Sequence, residues 1–412
     1  MRTIAASGLI ALTAMLGVAA SAAVAGPATA SQTTASQTRA ASPPPAKQLF
    51  GVSCVSSKYC VAVGLNQNAE GNRGGGLIQT WNGKNWKTVA ALTPKGGLSS
   101  ELLGVSCKTT TACVAVGLYL NSGGSGVPLV EAWNGRTWTP SAPPRPAGSQ
   151  GGQLASVSCA GPKSCVAIGT YYTDSGAAAL AESWNGGKWT LSRPPAPKGS
   201  IVGDLEKVSC PTTAFCIAVG TSATNKGGFV LADRWNGKTW AMTSVKPPAN
   251  AKNDASLNGV SCRSAKSCVA VGTGTPATGR PGGLRSFAEF WDGKTWTAGT
   301  ISWPKGTSNN YLVGVSCAAA NSCLAVGYVN VNLNVNGAHT GKAAATRWNG
   351  KTWTATAVPA PGKAKASLFN EVSCPAAASC LAVGQLGTYG TDEGNGLAGF
   401  WNGKIWTMTT TP

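Results

Sequence analysis

The fold of this chain is decided by two short segments, LFGVSCVSSKYCVAVG at residues 49–64 and WNGKNW at residues 81–86. Both segments recur seven times along the 412 residues, once in about every fifty, a period typical of repeat architectures. The first segment always carries two cysteines and the second two tryptophans. All fourteen cysteines belong to the pairs Cys54 and Cys60, Cys107 and Cys113, Cys159 and Cys165, Cys210 and Cys216, Cys262 and Cys268, Cys317 and Cys323, and Cys374 and Cys380.

Each repeat has the composition and turn signals of four β-strands and lacks the 3.6-residue period of a helical repeat. Strand A ends in Val-Ser-Cys, strand B begins at the second cysteine, strand C ends at the first tryptophan, and strand D begins at the second. Asn-Gly between the tryptophans favours a hairpin. We therefore expect an all-β chain that forms a seven-bladed β-propeller, with four antiparallel strands per blade and one disulfide across each A–B hairpin.

The spacing between motifs predicts two different faces. The distance from the second cysteine to the first tryptophan varies from 19 to 25 residues, so insertions concentrate in the B-to-C connection. In a propeller, the B-to-C and D-to-A connections emerge on one face and the A–B and C–D hairpins on the other. We expect a variable loop face and a repetitive hairpin face.

The repeat resembles that of the Asp-box (BNR) propellers, which include sialidases and photosystem assembly-factor propellers. The shared pattern is L-x-x-V, a short turn, A-V-G, and then a turn with glycine before tryptophan. The resemblance covers residues 48–412 and implies a propeller in a secreted bacterial protein. W-N-G-K-x-W is one residue shorter than the usual S-x-D-x-G-x-T-W, and Asn replaces Asp in every copy except Asp292. The resemblance therefore implies a fold rather than an activity.

The chain begins with the features of an export signal. Arg2 precedes an apolar run and a small-residue cleavage site, so we expect a signal peptide over residues 1–30, cleaved after Ala25 or Ala30. Residues 31–46 are rich in Ser, Thr, Ala and Pro and predict a disordered tether, with the propeller over residues 47–412. We expect a secreted protein, in some settings associated with the cell wall, without an integral membrane segment in its mature form.

Paired cysteines in an exported chain favour disulfides over metal. Zinc sites usually combine closely spaced cysteines with histidines, and this chain has one histidine, His339. We predict seven disulfides, no metal and no cofactor.

The repeated tryptophans are interpreted as residues that pack within the blades. Four units have an acid two residues before the first tryptophan, and these acids are interpreted as surface partners of neighbouring lysines. They are Glu131, Glu182, Asp233 and Glu289.

The chain is strongly basic, with a formal net charge of +19. One basic residue recurs in each turn between the tryptophans: Lys84, Arg136, Lys188, Lys238, Lys294, Lys351 and Lys404. The excess of basic over acidic residues either serves to keep the protein soluble or indicates an anionic partner, such as a wall polymer or another secreted protein. No basic cluster with interleaved aromatic residues is present, so we expect no nucleic-acid binding.

Residues that break the repeat are the candidates for function. Tyrosines and one extra tryptophan fall on the predicted variable face, and polar residues precede the conserved Leu of four inner strands. Rigid aromatic rings beside amides and carboxylates suit carbohydrate recognition, and they also suit a protein interface. The candidate ligand-binding residues are Tyr119, Tyr171, Tyr172, Trp303, Tyr311, Tyr328, Tyr389, Gln48, Glu101, Gln153 and Asp204.

These residues predict a secreted, non-catalytic, lectin-like module that recognises extracellular or cell-wall carbohydrate. The alternative is a protein-interaction scaffold of the cell envelope or of a secreted multi-protein particle, for example one of toxin type. The segments that a sialidase needs are missing, and no nucleophile motif accompanies His339, so we expect no catalysis. Less favoured is a glycan hydrolase or lyase, in which two carboxylates such as Glu101 and Asp204 would meet at the channel mouth.

Overall fold

The computed structural model describes residues 47–67, 73–224, 227–276, 283–333, 339–362, 364, 366–387 and 394–412. The predicted signal peptide, the predicted tether and Tyr389 lie outside the described residues. The described part of the chain contains 28 strands and a single turn of 3-10 helix at Ala249–Ala251.

The strands follow one another in groups of four. The first three groups are β1 (Lys47–Ser56), β2 (Tyr59–Gln67), β3 (Arg73–Trp81) and β4 (Trp86–Ala90); β5 (Ser99–Thr109), β6 (Ala112–Leu120), β7 (Gly126–Trp133) and β8 (Trp138–Ser141); and β9 (Gly151–Gly161), β10 (Ser164–Thr173), β11 (Gly176–Trp184) and β12 (Trp189–Ser192). The fourth and fifth are β13 (Val202–Thr212), β14 (Phe215–Thr224), β15 (Gly227–Trp235) and β16 (Trp240–Met242); and β17 (Asn253–Ser264), β18 (Ser267–Thr275), β19 (Arg285–Trp291) and β20 (Trp296–Gly299). The last two are β21 (Tyr311–Ala319), β22 (Ser322–Leu333), β23 (His339–Trp348) and β24 (Trp353–Thr356); and β25 (Ser367–Ala376), β26 (Ser379–Leu386), β27 (Asn395–Trp401) and β28 (Trp406–Thr410).

Within each group, called a unit below, neighbouring strands pair antiparallel in chain order. Five units form separate four-stranded sheets, and the third and fourth units join into one sheet of eight strands. The junction is a single parallel pairing of Ala177 with Val202, in which the Ala177 amide donates to the Ile201 carbonyl at 3.3 Å. The structure thus confirms an all-β chain of four-stranded units, in six sheets because of this junction.

The seven predicted disulfides are all present, and each joins the first strand of a unit to the second across a two-residue turn. No cysteine is free. In the chain-entropy model, closing so short a loop contributes about 2 kcal/mol per bridge. Each unit therefore has a covalent hairpin of its own.

The first strands of the units, called the inner strands below, are β1, β5, β9, β13, β17, β21 and β25. Each packs against the next in the chain, and β25 also packs against β1. The core lies between successive sheets: one cluster joins Val63 and Ile78 of the first unit to Leu102 and Leu129 of the second. Another cluster joins Leu49 of the first unit to residues of the last, among them Leu381, Val383 and Ala398.

The Ser-Cys dipeptide of every inner strand links that strand to its neighbours. In each case the serine hydroxyl oxygen accepts a hydrogen bond from the cysteine amide of the next inner strand, at 2.9 to 3.0 Å. The seventh bond returns to the beginning, because the Cys54 amide donates to Ser373 Oγ at 2.9 Å. The serines, in chain order, are Ser53, Ser106, Ser158, Ser209, Ser261, Ser316 and Ser373.

Every inner strand also has a β-bulge at the residue after its conserved Leu or Phe. Opposite the bulge lies the glycine of the A-V-G motif. A Cβ at Gly220 would lie 2.0 Å from the Asp204 carbonyl oxygen, and the equivalent glycines of the other six units give 1.8 to 2.1 Å. The inner strand's backbone therefore occupies the space of a side chain, so only glycine fits.

The two tryptophans of each W-x-G-x-x-W motif are directly opposite in register, with ring centroids 5.3 to 5.6 Å apart. Between them the Asn or Asp side chain holds the turn: Asn82 Oδ1 accepts from the amides of Lys84 and Asn85 at 2.9 and 2.8 Å. Gly83 takes a positive φ of 95°. The interpretation of the tryptophans as packing residues agrees with these contacts.

The four repeated acids are buried, so their interpretation as surface partners of lysines is wrong. Glu131, Glu182 and Asp233 are 0% exposed and Glu289 is 1% exposed. Burial raises the pKa of Glu182 to about 8 and those of the other three to about 7. The physical reason is that side chains alternate between the two faces of a strand. The acid two residues before the first tryptophan therefore lies on the same buried face as that tryptophan.

The part of the chain that the structure describes contains no helix with the length and hydropathy of a membrane span.

We predict that Gly220→Ala lowers the free energy of unfolding by about 3 kcal/mol, because the new methyl group forces two backbones apart. Chemical denaturation measures this difference. Gly161→Ala is the matched control, since no atom lies within 4 Å of a Cβ at Gly161. Equal stability of the two variants would refute the close approach.

The buried acids predict that thermal stability falls as pH rises. In the unfolded chain these carboxyls ionise near their ordinary pKa of about 4, whereas in the folded chain burial keeps them protonated to about 7 or 8. The folded state therefore binds more protons across this window, and its stability is highest below pH 4 and declines up to about pH 8.

Melting temperatures from pH 5 to pH 8 test this sign. Glu182→Gln should raise the melting temperature at pH 8 and flatten its decline. Asp292→Asn, in an exposed turn where the other units have Asn, should leave the slope unchanged because its own pKa is lowered by amide hydrogen bonds. A melting temperature that rises from pH 5 to pH 8 in the unmodified protein would contradict the burial of these acids.

Candidate active site

A cavity of about 210 Å³ lies along the inner strands and is lined by residues from all seven of them. It is called the channel below, and its mouth is the end at which the inner strands begin. Four of the lining positions just after the bulge are small or glycine, which leaves the space open: Gly51, Gly104, Ser156 and Gly259. At the same position, the fourth and seventh units have Lys207 and Glu371 instead.

Lys207 and Glu371 form an ion pair inside the channel, with Nζ 2.6 Å from Oε2 and each side chain 15% exposed. Lys207 is on β13, whose inner neighbours are β9 and β17, while Glu371 is on β25, whose inner neighbours are β21 and β1. The pair therefore connects strands that do not adjoin. Each charge compensates the other in a place where an unpaired charge would be costly.

Two further carboxyls lie on β13 toward the mouth. Asp204 is 5% exposed and accepts a short hydrogen bond from the Thr170 hydroxyl. Glu206 is the bulge residue of β13, since the register moves between Leu205 and Lys207. Its carboxyl is near enough to Asp204 for the charge of Asp204 to act on it.

The pKa values of both carboxyls are raised. Burial raises the pKa of Asp204, although the Thr170 hydrogen bond opposes the shift. Burial and the charge of Asp204 raise the pKa of Glu206 to about 8, against the opposing charge of Lys207. Near neutral pH the pair therefore retains a proton, which is the condition for a general acid.

Two tyrosines from different units complete the cluster. Tyr172, half-buried at the end of β10, has its pKa raised to about 12 by burial and by the charges of Asp204 and Glu206. Tyr311 begins β21 and is 7% exposed; burial and the charge of Glu206 raise its pKa, while hydrogen bonds to Ser256 and Asn258 lower it. Both phenols are neutral at physiological pH.

Tyr328 lies behind Tyr311. The two rings stack with their centroids 5.2 Å apart and their planes 11° from parallel, and Leu368 packs against both. Asn258 is held in turn, because its Nδ2 donates to the Leu312 carbonyl at 2.8 Å. The orientation of Tyr311 is thus fixed by packing from one side and by polar contacts from the other.

The other predicted site residues do not join this cluster. Gln48 and Gln153 are buried and Glu101 is half-buried, each on its own inner strand. Tyr119 and Tyr171 pack onto the clusters between sheets, and Trp303 donates to Ser286 Oγ at 2.8 Å. The sequence therefore predicted three members of the cluster, which are Tyr172, Asp204 and Tyr311, together with Tyr328 behind them.

Sequence reasoning missed Glu206, Lys207 and Glu371. A signal for them exists in the repeat, because they are charged where the other units have glycine, serine or uncharged residues between the conserved Leu and Val-Ser-Cys. Across the described residues, no group of three or more His, Cys, Asp or Glu side chains could hold a metal ion. The cluster is thus built from carboxyls, phenols and one lysine.

No family model matches the chain, and no curated protein matches it. Solved structures do resemble it. It is similar to a GH74 xyloglucanase from Xanthomonas campestris, with 13% identity and a TM-score of 0.54, over 88% of this chain and 53% of that one. It is also similar to an ulvan lyase of family PL25, with 8% identity and a TM-score of 0.51, over 89% and 97% of the two chains.

A third similar structure is the β-propeller domain of the Trilobed protease from Pyrococcus furiosus, with 9% identity and a TM-score of 0.48, over 89% and 95% of the two chains. The chain spans about half the length of the xyloglucanase. At these identities the likeness concerns the fold alone.

The comparisons correct the functional expectation from sequence. A non-catalytic, lectin-like module and the absence of catalysis were expected, but the two similar structures with TM-scores above 0.5 are polysaccharide-active enzymes. The expectation depended on missing sialidase motifs and on His339, whereas one of the two carboxyls of the cluster, Glu206, lies in a bulge that no motif marks.

Proposed function

We propose that the seven units are the blades of one closed propeller of the Asp-box type. The Ser-to-Cys hydrogen bonds that run from β1 through β25 and back support closure. So do two further contacts between the ends of the chain: the Lys47 amide donates to the Gly394 carbonyl at 3.0 Å, and Asn370 Nδ2 donates to the Leu49 carbonyl at 2.9 Å. In this arrangement the channel follows the propeller axis.

We further propose that the protein is a polysaccharide-cleaving glycoside hydrolase whose catalytic groups are Asp204 and Glu206. The observation that carries this proposal is the pair of carboxyls on β13 toward the channel mouth: burial raises the pKa of both, and burial together with the charge of Asp204 raises that of Glu206 to about 8, so the pair retains a proton near neutral pH. Carboxyls of perturbed pKa are candidates for acid–base catalysis, and Glu206 directly precedes Lys207, which lines the channel. The fold is one that polysaccharide-active enzymes also use.

The chemistry follows from one shared proton. One carboxyl donates it to the glycosidic oxygen as the bond from that oxygen to the anomeric carbon breaks, and the bonding electrons leave with the oxygen. Water attacks the anomeric carbon and gives a proton to the other carboxylate. The pair thus ends with one proton, as it began, and the net reaction is hydrolysis of one glycosidic bond.

Tyr172 and Tyr311 position the sugar. Because both phenols stay protonated, they donate hydrogen bonds to sugar hydroxyls rather than acting as bases. The half-buried ring of Tyr172 offers an apolar face against which sugar C–H groups pack. Tyr119, Tyr171, Trp303, Gln48, Glu101 and Gln153 remain proposed contacts for more distant sugars of the chain.

A location outside the cytosol is consistent with a polymer substrate. Seven disulfides are typical of proteins in oxidising environments outside the cytosol. We propose that residues 1–30 direct export and are removed, and that the enzyme acts on a polysaccharide outside the cell.

We predict that Glu206→Gln lowers kcat by about 10²- to 10⁴-fold, since the amide supplies no transferable proton. The measurement is release of reducing ends from a panel of purified polysaccharides, with pH profiles for both forms. The profile of the unmodified enzyme should lose activity above about pH 8, where Glu206 ionises.

Asp254→Asn is the matched control. Asp254 is an exposed carboxylate near the start of the inner strand β17, and its positive φ of 47° suits Asn equally well. It should leave kcat unchanged. Absence of turnover on the whole panel, or full activity of Glu206→Gln, would overturn the proposal; products carrying a new C=C bond would replace hydrolysis by elimination.

A further inference from the structure

One end of the molecule carries a concentrated set of positive charges. The end away from the channel mouth is formed by fourteen hairpin turns, seven between the first and second strands and seven between the third and fourth. This surface is called the hairpin face below. The first set of turns occupies residues 57–58, 110–111, 162–163, 213–214, 265–266, 320–321 and 377–378, and the second 82–85, 134–137, 185–188, 236–239, 292–295, 349–352 and 402–405.

The two turns of each unit contact one another, so they share this face. A Cβ at Gly83 would lie 3.2 Å from Lys58 Cγ, and the six equivalent turn glycines also approach the first turn of their own unit. Trp81 Nε1 donates to the Ser57 carbonyl at 3.2 Å, which ties the same two turns together. The Ser-to-Cys hydrogen bonds hold the inner strands in one register, so the seven pairs of turns lie at one level.

The hairpin face is almost purely cationic. Its fourteen turns contain ten lysines and arginines, all exposed: Lys58, Lys84, Arg136, Lys163, Lys188, Lys238, Lys266, Lys294, Lys351 and Lys404. They contain one carboxylate, Asp292, whose Oδ1 is engaged by the amides of Lys294 and Thr295.

The remaining described carboxylates cannot neutralise this surface. Four are buried between the sheets, which are Glu131, Glu182, Asp233 and Glu289. Others lie on the inner strands toward the mouth or within the channel, such as Glu101, Asp204, Glu206 and Glu371. The positive charge of the hairpin face is therefore left unbalanced, and it produces a wide positive field at the end opposite the candidate active site.

We propose that the hairpin face binds a linear anionic polysaccharide. A broad positive electrostatic field attracts a negatively charged polymer without a shaped pocket. Such a surface matches a chain that carries negative charges at regular intervals. Nine of the ten cations are lysines, which act as point charges rather than as bidentate forks for a single planar group. The fourteen turns contain no aromatic residue, and the tryptophans that flank seven of them pack against each other, so the face lacks a row of free aromatic rings on which the bases of a single-stranded nucleic acid would stack.

This surface is independent of the proposed hydrolase. It would hold the protein on an anionic matrix by one end and leave the channel mouth directed outward toward substrate.

The test compares two triple charge reversals with the same change in net charge. The hairpin variant is Lys84→Glu with Lys188→Glu and Lys351→Glu. The control variant is Lys95→Glu with Lys198→Glu and Lys305→Glu, three exposed lysines in the connections between units, at the other end of the molecule. The probes are dextran sulfate and polygalacturonate, with uncharged dextran as the neutral polymer and polyphosphate as a non-sugar polyanion.

The unmodified protein should bind both anionic polysaccharides in low salt and release them as ionic strength rises, because exposed charges are screened within about 10 Å at 0.1 M. The hairpin variant should lose about tenfold or more in affinity, while the control variant stays within about twofold. Equal losses in the two variants, or binding that resists salt, would overturn the proposal. Binding of polyphosphate alone would also overturn it.

Asp204→Asn separates this proposal from the enzymatic one. The substitution alters the candidate active site and should leave polymer binding unchanged, so a failure of catalysis and a failure of docking give different results. Circular dichroism melting curves for both triple variants verify that each is folded, since all six lysines are exposed and none has a hydrogen bond to its side chain among those described.

Discussion

One hydrogen bond, repeated seven times, organises this molecule: the serine hydroxyl of each inner strand accepts the cysteine amide of the next. An inner strand of this kind has a second strand on one side and open backbone on the other. A side-chain acceptor satisfies an amide there without a continuous sheet, and an unpaired buried amide would cost about 1–3 kcal/mol. The Ser-Cys dipeptide thus links neighbouring units, while the cysteine side chain closes its own hairpin.

The same constraint explains where chemistry can occur. Because the inner strands are held in register, a bulge in all seven units lies at one level, and small residues after it leave the channel open. The fourth unit departs from this pattern with Glu206 and Lys207, and the seventh with Glu371. At these positions, three residues therefore replace small or uncharged side chains with charged ones. The buried acids between the sheets serve no such cluster and cost stability as pH rises.

The repeat made most of the fold predictable from sequence. Cysteine spacing predicted the bridges, Asn-Gly the turns, and the tryptophan spacing the cross-strand pairs, because each depends on local geometry. Local geometry did not reveal the merging of two sheets at Ala177 and Val202, the burial of Glu182, or the place of Glu206 beside Asp204. These three features depend on how one unit packs against another. A bulge, moreover, has no clear sequence signature within a single strand. Tyr172, Asp204 and Tyr311 were predictable because they interrupt a pattern.

The central claim is that the chain of Ser-to-Cys hydrogen bonds closes on itself and so fixes the channel. Amide hydrogen exchange at Cys54, measured by NMR, tests this most directly, because its only inner-strand acceptor is Ser373, 319 residues away. The Cys54 amide should exchange as slowly as the Cys107 amide, and Ser373→Ala should accelerate exchange at Cys54 far more than at Cys107. A Cys54 amide that exchanges like an open edge strand in the unmodified protein would contradict closure.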